Sequence, residues 1–231
     1  MKEVFRMKKN HLIMILDVEG MSTEKPYNIG YIIGDRKGNI FKECSFALPN
    51  NIWGNLKNCF AAEEMTHNNI QEILSDFGSG DSRKYDYISN NDFLLTMAKD
   101  IEDFKICQVW AYNCMFDAGS LKRLDEFNIL PEVEYCDIWS AIAASCLYNK
   151  KYVKWCINNG FLTEKGNIKS SAEVVYAYLT NNVTFVEEHT ALSDVRIEYE
   201  ILLKVFKSKK KLEKKQKKAI WKTLGEIRDS I

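Results

Sequence analysis

Residues 11–18 form a near-continuous apolar run of strand length. Such a run is typical of a strand that is buried on both faces of a sheet. Two further apolar segments, 27–34 and 40–48, follow it. The segment from Gly34 to Asn39 between them contains two glycines and predicts a turn that reverses the chain. The pattern therefore predicts that the first three strands form an antiparallel meander.

Strand and helix patterns alternate along the rest of the chain. Asn91 or Asp92 is expected to cap a helix that runs to about Phe104. The other predicted elements are strands over 108–112 and 133–136, and helices over 115–127, 137–148, 152–159, 171–179, 189–206 and 219–227. A meander followed by alternating strands and helices predicts a mixed α/β sheet, with an antiparallel meander followed by parallel strands, flanked by helices.

Composition favours one domain of catalytic size over residues 1–206, followed by a tail over 207–231. With 46% hydrophobic residues and three prolines, the chain can bury a sizeable core and has no linker-like stretch. The apolar run at the N-terminus is too short for a secretion signal or a membrane span. Seven cysteines without a C-x-x-C pair indicate free thiols in a reducing compartment, so we expect a cytoplasmic protein without a membrane partner.

Charge is distributed unevenly although the net charge is zero. Residues 207–231 hold ten Lys/Arg and three Asp/Glu, whereas residues 1–206 hold 22 and 29. An acidic domain binds phosphate poorly unless metal ions neutralise part of its charge. The basic tail has three interpretations: a solvated charge run, a contact with a nucleic-acid backbone, or a short amphipathic helix (Trp221, Leu224, Ile227) that docks on a partner.

Asp17 and Glu19 end the first predicted strand two residues apart, which places both carboxylates on one face. Paired buried carboxylates raise each other's pKa and favour a hard divalent cation such as Mg²⁺ or Mn²⁺. A solvated pair at a strand end is the structural alternative for this motif taken alone.

Two more acidic clusters follow at the starts of predicted helices. Asp117 lies at a strand-to-helix junction, where the helix dipole alone favours an aspartate. Asp194 follows His189 by five positions at the start of the last main helix. His189 and Asp194 also have purely structural interpretations, as a residue that caps the helix and as a solvated aspartate.

The three clusters together read D-x-E, N-x-x-F-D and H-x-A-x-x-D, in that order along the chain. This combination resembles the DEDDh class of exonucleases, the DnaQ-like group of the ribonuclease H-like superfamily. The motif residues span positions 17–194, about three quarters of the chain. A tyrosine variant of the class has Tyr four residues before the last Asp; that position is Thr190 here, and His189 matches the histidine type.

The resemblance implies a ribonuclease H-like fold and a 3′–5′ exonuclease that uses two divalent ions, Mg²⁺ or Mn²⁺, about 4 Å apart. It implies that Asp17 bridges both ions, that Glu19 and Asp194 complete the site of the ion that carries the attacking water, and that Asp117 holds the second ion. His189 would then take the proton from the water, a role suited to imidazole.

The resemblance also implies contacts with the terminal nucleotide. Gly20 matches a position of close backbone approach and Met21 one that packs on a base or sugar, while Asn113 and Phe116 of the second motif lie beside the same pocket. Relatives commonly carry Thr or Phe where Gly20 stands. The stretch between the first two motifs is long for a compact core, so residues 50–91, with a helix predicted around 56–65 and a loop over 78–84, are interpreted as a possible insertion: a lid, a partner surface or an extra helical layer.

Three functions remain open at this point. A DNA exonuclease that acts on single strands, in repair, recombination or proofreading, is favoured. It would act either alone or beside a partner in trans, a DNA polymerase or another replication or repair protein. A ribonuclease that trims RNA 3′ ends or degrades short oligonucleotides is the first alternative, and recognition of a 2′-hydroxyl would separate the two. A catalytically inactive nucleic-acid-binding protein is the second, and the complete set of five motif residues argues against it.

Overall fold

One mixed sheet organises the computed structural model of the chain. In chain order its strands are β1 (Ile13–Glu19), β2 (Asn28–Gly34), β3 (Ile40–Ala47), β4 (Asp86–Tyr87), β5 (Gln108–Ala111) and β6 (Glu134–Asp137). Across the sheet the order is β4-β3-β2-β1-β5-β6. The first three strands pair antiparallel, and the pairs β3–β4, β1–β5 and β5–β6 are parallel. The predicted meander followed by parallel strands is confirmed.

Helices cover both faces of this sheet. They are α1 (Pro49–Trp53), α2 (Glu64–Ser79), α3 (Asn90–Asp103), α4 (Cys114–Leu121), α5 (Ile138–Ile142), α6 (Lys150–Asn158), α7 (Ala172–Thr180), α8 (Ala191–Lys207) and α9 (Ile220–Asp229). A 3₁₀ turn covers Phe127–Ile129. The structure describes residues 11–20, 25–54, 64–79, 84–124, 127–208, 212–215 and 219–231.

Side chains of β1 alternate between two cores. Ile13 and Ile15 point into one core with helices α5 to α9, and Met14, Leu16 and Val18 point into the other with α3 and the end of α4. Because side chains alternate with a period of two, Asp17 and Glu19 continue the face of Ile13 and Ile15. The apolar face of the strand thus becomes acidic at its carboxyl end, on the side that α8 covers.

Helix α8 begins directly on top of β2. The side-chain oxygen of Asn28 accepts a hydrogen bond from the Ala191 N–H (3.0 Å), and its amide nitrogen donates to the Phe46 carbonyl (2.8 Å). A Cβ at Gly30 would lie 2.5 Å from the carbonyl carbon of Ala191 and from the nitrogen of Leu192. The glycine is therefore required for this close approach of helix and strand.

Several element boundaries differ from those predicted. Helix α3 is capped by Ser89, whose side chain accepts from the Asp92 N–H, and not by Asn91 or Asp92 themselves. Helix α4 ends at Leu121 rather than near 127, because the following hydrogen bonds span only three residues, as from Arg123 N–H to the Ser120 carbonyl (3.1 Å).

Two later helices also begin or continue differently. The helix predicted over 137–148 changes into a π-helical turn at Ala143–Leu147, which the bond from Tyr148 N–H to the Ala143 carbonyl (3.0 Å) closes. Helix α8 begins at Ala191, because Thr190 forms a capping box with Ser193 and His189 has a left-handed backbone (φ 55°) that no helix continues.

The segment 50–91 contains α1, α2 and β4. Most of the helix predicted around 56–65 falls outside the described residues, as do positions 80–83 of the predicted loop. Helix α2 extends through Gly78 and Ser79, two positions predicted as loop. Its buried Ile70 and Ile73 pack in a third hydrophobic cluster with residues of α1, β3 and the start of β4.

The C-terminal segment packs against the domain that precedes it. Leu224 of α9 is fully buried in the core and Ile227 packs against it, whereas Trp221 is 52% exposed. Two of the three residues expected to dock on a partner are thus used within the chain. Lys214 pairs with Glu134 (2.6 Å), and its carbonyl accepts from the Asp137 N–H (2.8 Å). Among the described residues no helix has the length and apolarity that crossing a membrane requires.

Gly30→Ala is expected to lower the free energy of unfolding by about 1–3 kcal/mol, because the added methyl collides with backbone atoms that cannot rotate away. Urea denaturation followed by circular dichroism measures the change. Gly225→Ala is the control: an added Cβ there meets nothing within 4 Å, and we expect unchanged or slightly higher stability. If Gly30→Ala were as stable as the wild type, helix α8 would not be seated as described.

Candidate active site

Three carboxylates converge where β1 ends and α8 begins. The ligand oxygens of Asp17, Glu19 and Asp194 all lie within 4.8 Å of one another. Asp17 and Glu19 come from β1, and Asp194 comes from the first turn of α8, where it is 8% exposed. The seating of α8 on β2 therefore completes a cluster that β1 begins.

Asp117 reaches the same edge of the sheet from α4. It occupies the first turn of that helix and is 2% exposed. The backbone N–H of Val18 acts on its carboxylate and opposes the rise of its pKa, which places Asp117 beside the end of β1. Asn113 precedes the helix with a left-handed backbone (φ 63°), which asparagine tolerates well, and its N–H donates to Asp137 (3.0 Å).

His189 stands at the rim of the cluster. Its side chain is 34% exposed, and its Nδ1 lies 3.8 Å from Oε2 of Glu187. Ligand atoms of Glu187, His189 and Asp194 also lie within 4.8 Å of one another. The histidine therefore contacts the acidic group and remains accessible to solvent.

The cluster concentrates negative charge away from water. Burial, followed by the charge of Asp194, raises the pKa of Glu19 to about 7. Burial likewise raises the pKa of Asp194 to about 6, with the Ser193 hydroxyl acting in the opposite direction, and that of Asp117 to about 8 despite two backbone N–H donors. Burial and the charges of its neighbours, with Glu198 first, raise the pKa of Asp17 well above its usual range.

Unpaired oxygens mark what this arrangement can hold. Oδ2 of Asp17 and Oδ1 of Asp117 are buried, and neither has a hydrogen-bond partner among the described residues. Buried polar atoms in proteins almost always have a partner. Carboxylate oxygens of this kind are what Mg²⁺ and Mn²⁺ bind, and the ions would remove the repulsion that raises the pKa values. The residues fit a divalent metal site.

Two further acidic residues, Glu187 and Glu198, lie here that the sequence motifs did not predict. Glu198 lies one turn after Asp194 on α8, is 3% exposed, and accepts from the Tyr112 N–H (3.2 Å). Burial and the charge of Asp117 raise its pKa well above the ordinary value. Burial and the charge of Asp194 raise the pKa of Glu187 to about 8. Helical spacing of four from Asp194 was a usable signal for Glu198.

The residues expected to contact substrate lie near this cluster as far as they are described. Gly20 directly follows Glu19, and an added Cβ would lie 3.2 Å from Cα of Pro26. Phe116 is 39% exposed at the start of α4, and the Asn113 side chain is exposed at the same turn. Met21 lies outside the described residues. Their roles stay predictions.

Two solved structures of exonuclease I are similar to this chain. The chain is similar to E. coli exonuclease I in complex with a 5cy-dT13 oligonucleotide, at 14% identity and a TM-score of 0.53, over 85% of this chain and 42% of exonuclease I. The corresponding values for exonuclease I in complex with the inhibitor BCBP are 13%, 0.49, 87% and 43%. The chain thus spans less than half the length of exonuclease I.

The first of these likenesses shows the fold: the six-stranded sheet with its flanking helices is the ribonuclease H-like α/β fold of exonuclease I. No protein-family model matches the chain, and no curated protein does.

Without metal, the protein is expected to lose stability as the pH rises from about 5 to about 8. A carboxyl whose folded-state pKa lies above its ordinary value stabilises the fold when protonated, and this contribution disappears as the pH passes through the folded pKa. Here the values of about 6, 7 and 8 for Asp194, Glu19 and Asp117 define the window. The thermal unfolding temperature in EDTA should fall by several degrees between pH 5 and pH 8.

Millimolar Mn²⁺ should flatten that dependence, because binding to the folded state adds stability at high pH. Glu19→Gln should weaken the pH dependence in EDTA, and the exposed Asp103→Asn should leave it unchanged. An unfolding temperature in EDTA that stays constant from pH 5 to pH 8 would contradict the burial of charge described above.

Proposed function

We propose that this protein is a metal-dependent 3′–5′ exonuclease of the DEDDh class, with DNA as its favoured substrate. One observation carries the proposal: the three motifs, far apart in the sequence, meet at one edge of the sheet, with Asp17, Glu19 and Asp194 in mutual contact range and His189 beside them. The similarity of fold to exonuclease I supports it.

The four carboxylates are proposed to hold the metal. Asp17 is central, because the charges of Asp117, Glu19 and Asp194 all act on it. Asp117 comes from α4, Glu19 from β1 and Asp194 from α8. In the proposed assignment Glu19 and Asp194 would hold one ion and Asp117 a second, with Asp17 contributing to both. Divalent ions bound there would supply positive charge for the scissile phosphate and for the attacking and leaving oxygens.

His189 is proposed to accept the proton of the attacking water. Its Nδ1 faces Glu187 (3.8 Å), which leaves Nε2 as the atom for the proton. The one-third exposure of its side chain gives water and substrate access to the ring. The carboxylates, which are more buried, are left with the role of ligands, so that one group alone handles the proton.

DNA is favoured over RNA because the exonuclease I structure with this fold was solved with a dT13 oligonucleotide. A polymerase partner and cytoplasmic location remain predictions from the sequence. An RNA substrate remains the first alternative, and the assay below includes it directly.

The proposal is tested by digestion of 3′- and 5′-labelled single-stranded DNA, duplex DNA and RNA with Mg²⁺, Mn²⁺ or EDTA. We expect stepwise shortening of a 5′-labelled single DNA strand with either metal and none in EDTA. Asp17→Ala and His189→Ala should lower kcat by a factor of at least about 100, as loss of a ligand or a general base does.

Asp103→Asn, a surface acid on α3, is the matched control and should keep wild-type activity. Faster digestion of RNA than of DNA would transfer the proposal to the ribonuclease alternative. Survival of all substrates with both metals would refute the enzyme, and full activity of both variants would refute the site assignment.

A further inference from the structure

The backbone at His189 adopts a conformation that histidine does not favour. Its φ is 55°, in the left-handed region that residues with a β-carbon rarely occupy. Such a conformation persists only where the surrounding structure holds it. Since φ and ψ set the direction of the Cα–Cβ bond, whatever holds this backbone also aims the imidazole.

One side of the His189 turn is held by the start of α8. Thr190 closes a capping box with Ser193, and Ala191 is bonded to Asn28 of β2 (3.0 Å). These contacts fix the residues that follow His189. They leave its own carbonyl, which lies outside the helix, to be held by another element.

The other side is held by Asn69 of α2. Its side-chain amide donates a hydrogen bond to the His189 carbonyl from 120 residues away in the sequence. Asn69 is only 6% exposed, and the next turn of α2 anchors it, because Ile70 and Ile73 are buried against Tyr27 and Tyr85. A rigid, desolvated donor thus meets the carbonyl of the strained residue.

We propose that Asn69 is a positioning residue for the general base: it holds the His189 backbone left-handed and so directs the imidazole toward the carboxylate cluster. Helix α2 then completes the active site, in addition to packing on the outer part of the sheet. The catalytic part of this inference rests on the proposed function, whereas its structural part does not.

The kinetic test uses Asn69→Leu, which keeps the size of the side chain but removes the donor, and Asn68→Leu, which changes an exposed neighbour on the same helix. We expect kcat of Asn69→Leu to fall about 10- to 100-fold with KM within about twofold, as for a misplaced base. Asn68→Leu should match the wild type, and Asn69→Gln, which keeps the amide, should recover part of the loss.

A double-mutant cycle separates positioning from general damage. If Asn69 acts through His189, then Asn69→Leu should cost little in the His189→Ala background, because the group that it aims is absent. An equal fold loss in both backgrounds, or equal kcat of Asn69→Leu and Asn68→Leu, would overturn the proposal.

A structural readout keeps the inference testable whether or not the protein proves to be a nuclease. The chain has three histidines, so the His189 ring signals in a nuclear magnetic resonance spectrum of histidine-labelled protein are identified by their loss in His189→Ala. Asn69→Leu should shift or broaden these signals and Asn68→Leu should not. Unchanged His189 signals in folded Asn69→Leu would refute the positioning role. A wild-type protein without nuclease activity would refute only the proposed function.

Discussion

The contact between the first turn of α8 and the middle of β2 is the one on which the site depends. The two backbones approach so closely there that position 30 has no room for a side chain. The side chain of Asn28 accepts a hydrogen bond from the start of the helix. Because β2 is the antiparallel neighbour of β1, this contact sets the distance from Asp194 to Asp17 and Glu19. A displacement of α8 would separate the carboxylates without changing any of them.

Burial of that much like charge has a cost that the rest of the fold must offset. Two apolar cores on the faces of β1 hold the strand in place. Asp17 and Glu19, at the end of one face, interrupt the apolar residues of the strand. Raised pKa values and unpaired oxygens at Asp17 and Asp117 are the signs of this conflict. Proteins keep such groups where function requires them, and a bound divalent cation would resolve the conflict.

Local periodicity predicted much of this arrangement. The period of two placed Asp17 and Glu19 on one face. The apolar runs predicted a meander followed by parallel strands. Boundaries failed where tertiary contacts decide: α8 begins at Ala191, after the Thr190 cap, and not at His189, since the left-handed turn is held from outside. Glu198 had a local signal in its helical spacing from Asp194, but Asn69 had none, because its partner lies 120 residues away and only the packing of α2 brings them together.

Four carboxylates from three elements are proposed to form one site for divalent ions. Diffraction from crystals grown with Mn²⁺, recorded at a wavelength where manganese scatters anomalously, would locate these ions. We expect two anomalous peaks about 4 Å apart, both in contact with Asp17, one shared with Glu19 and Asp194 and the other near Asp117. A peak bound only by Glu187, His189 and Asp194, or no peak at the end of β1, would contradict it.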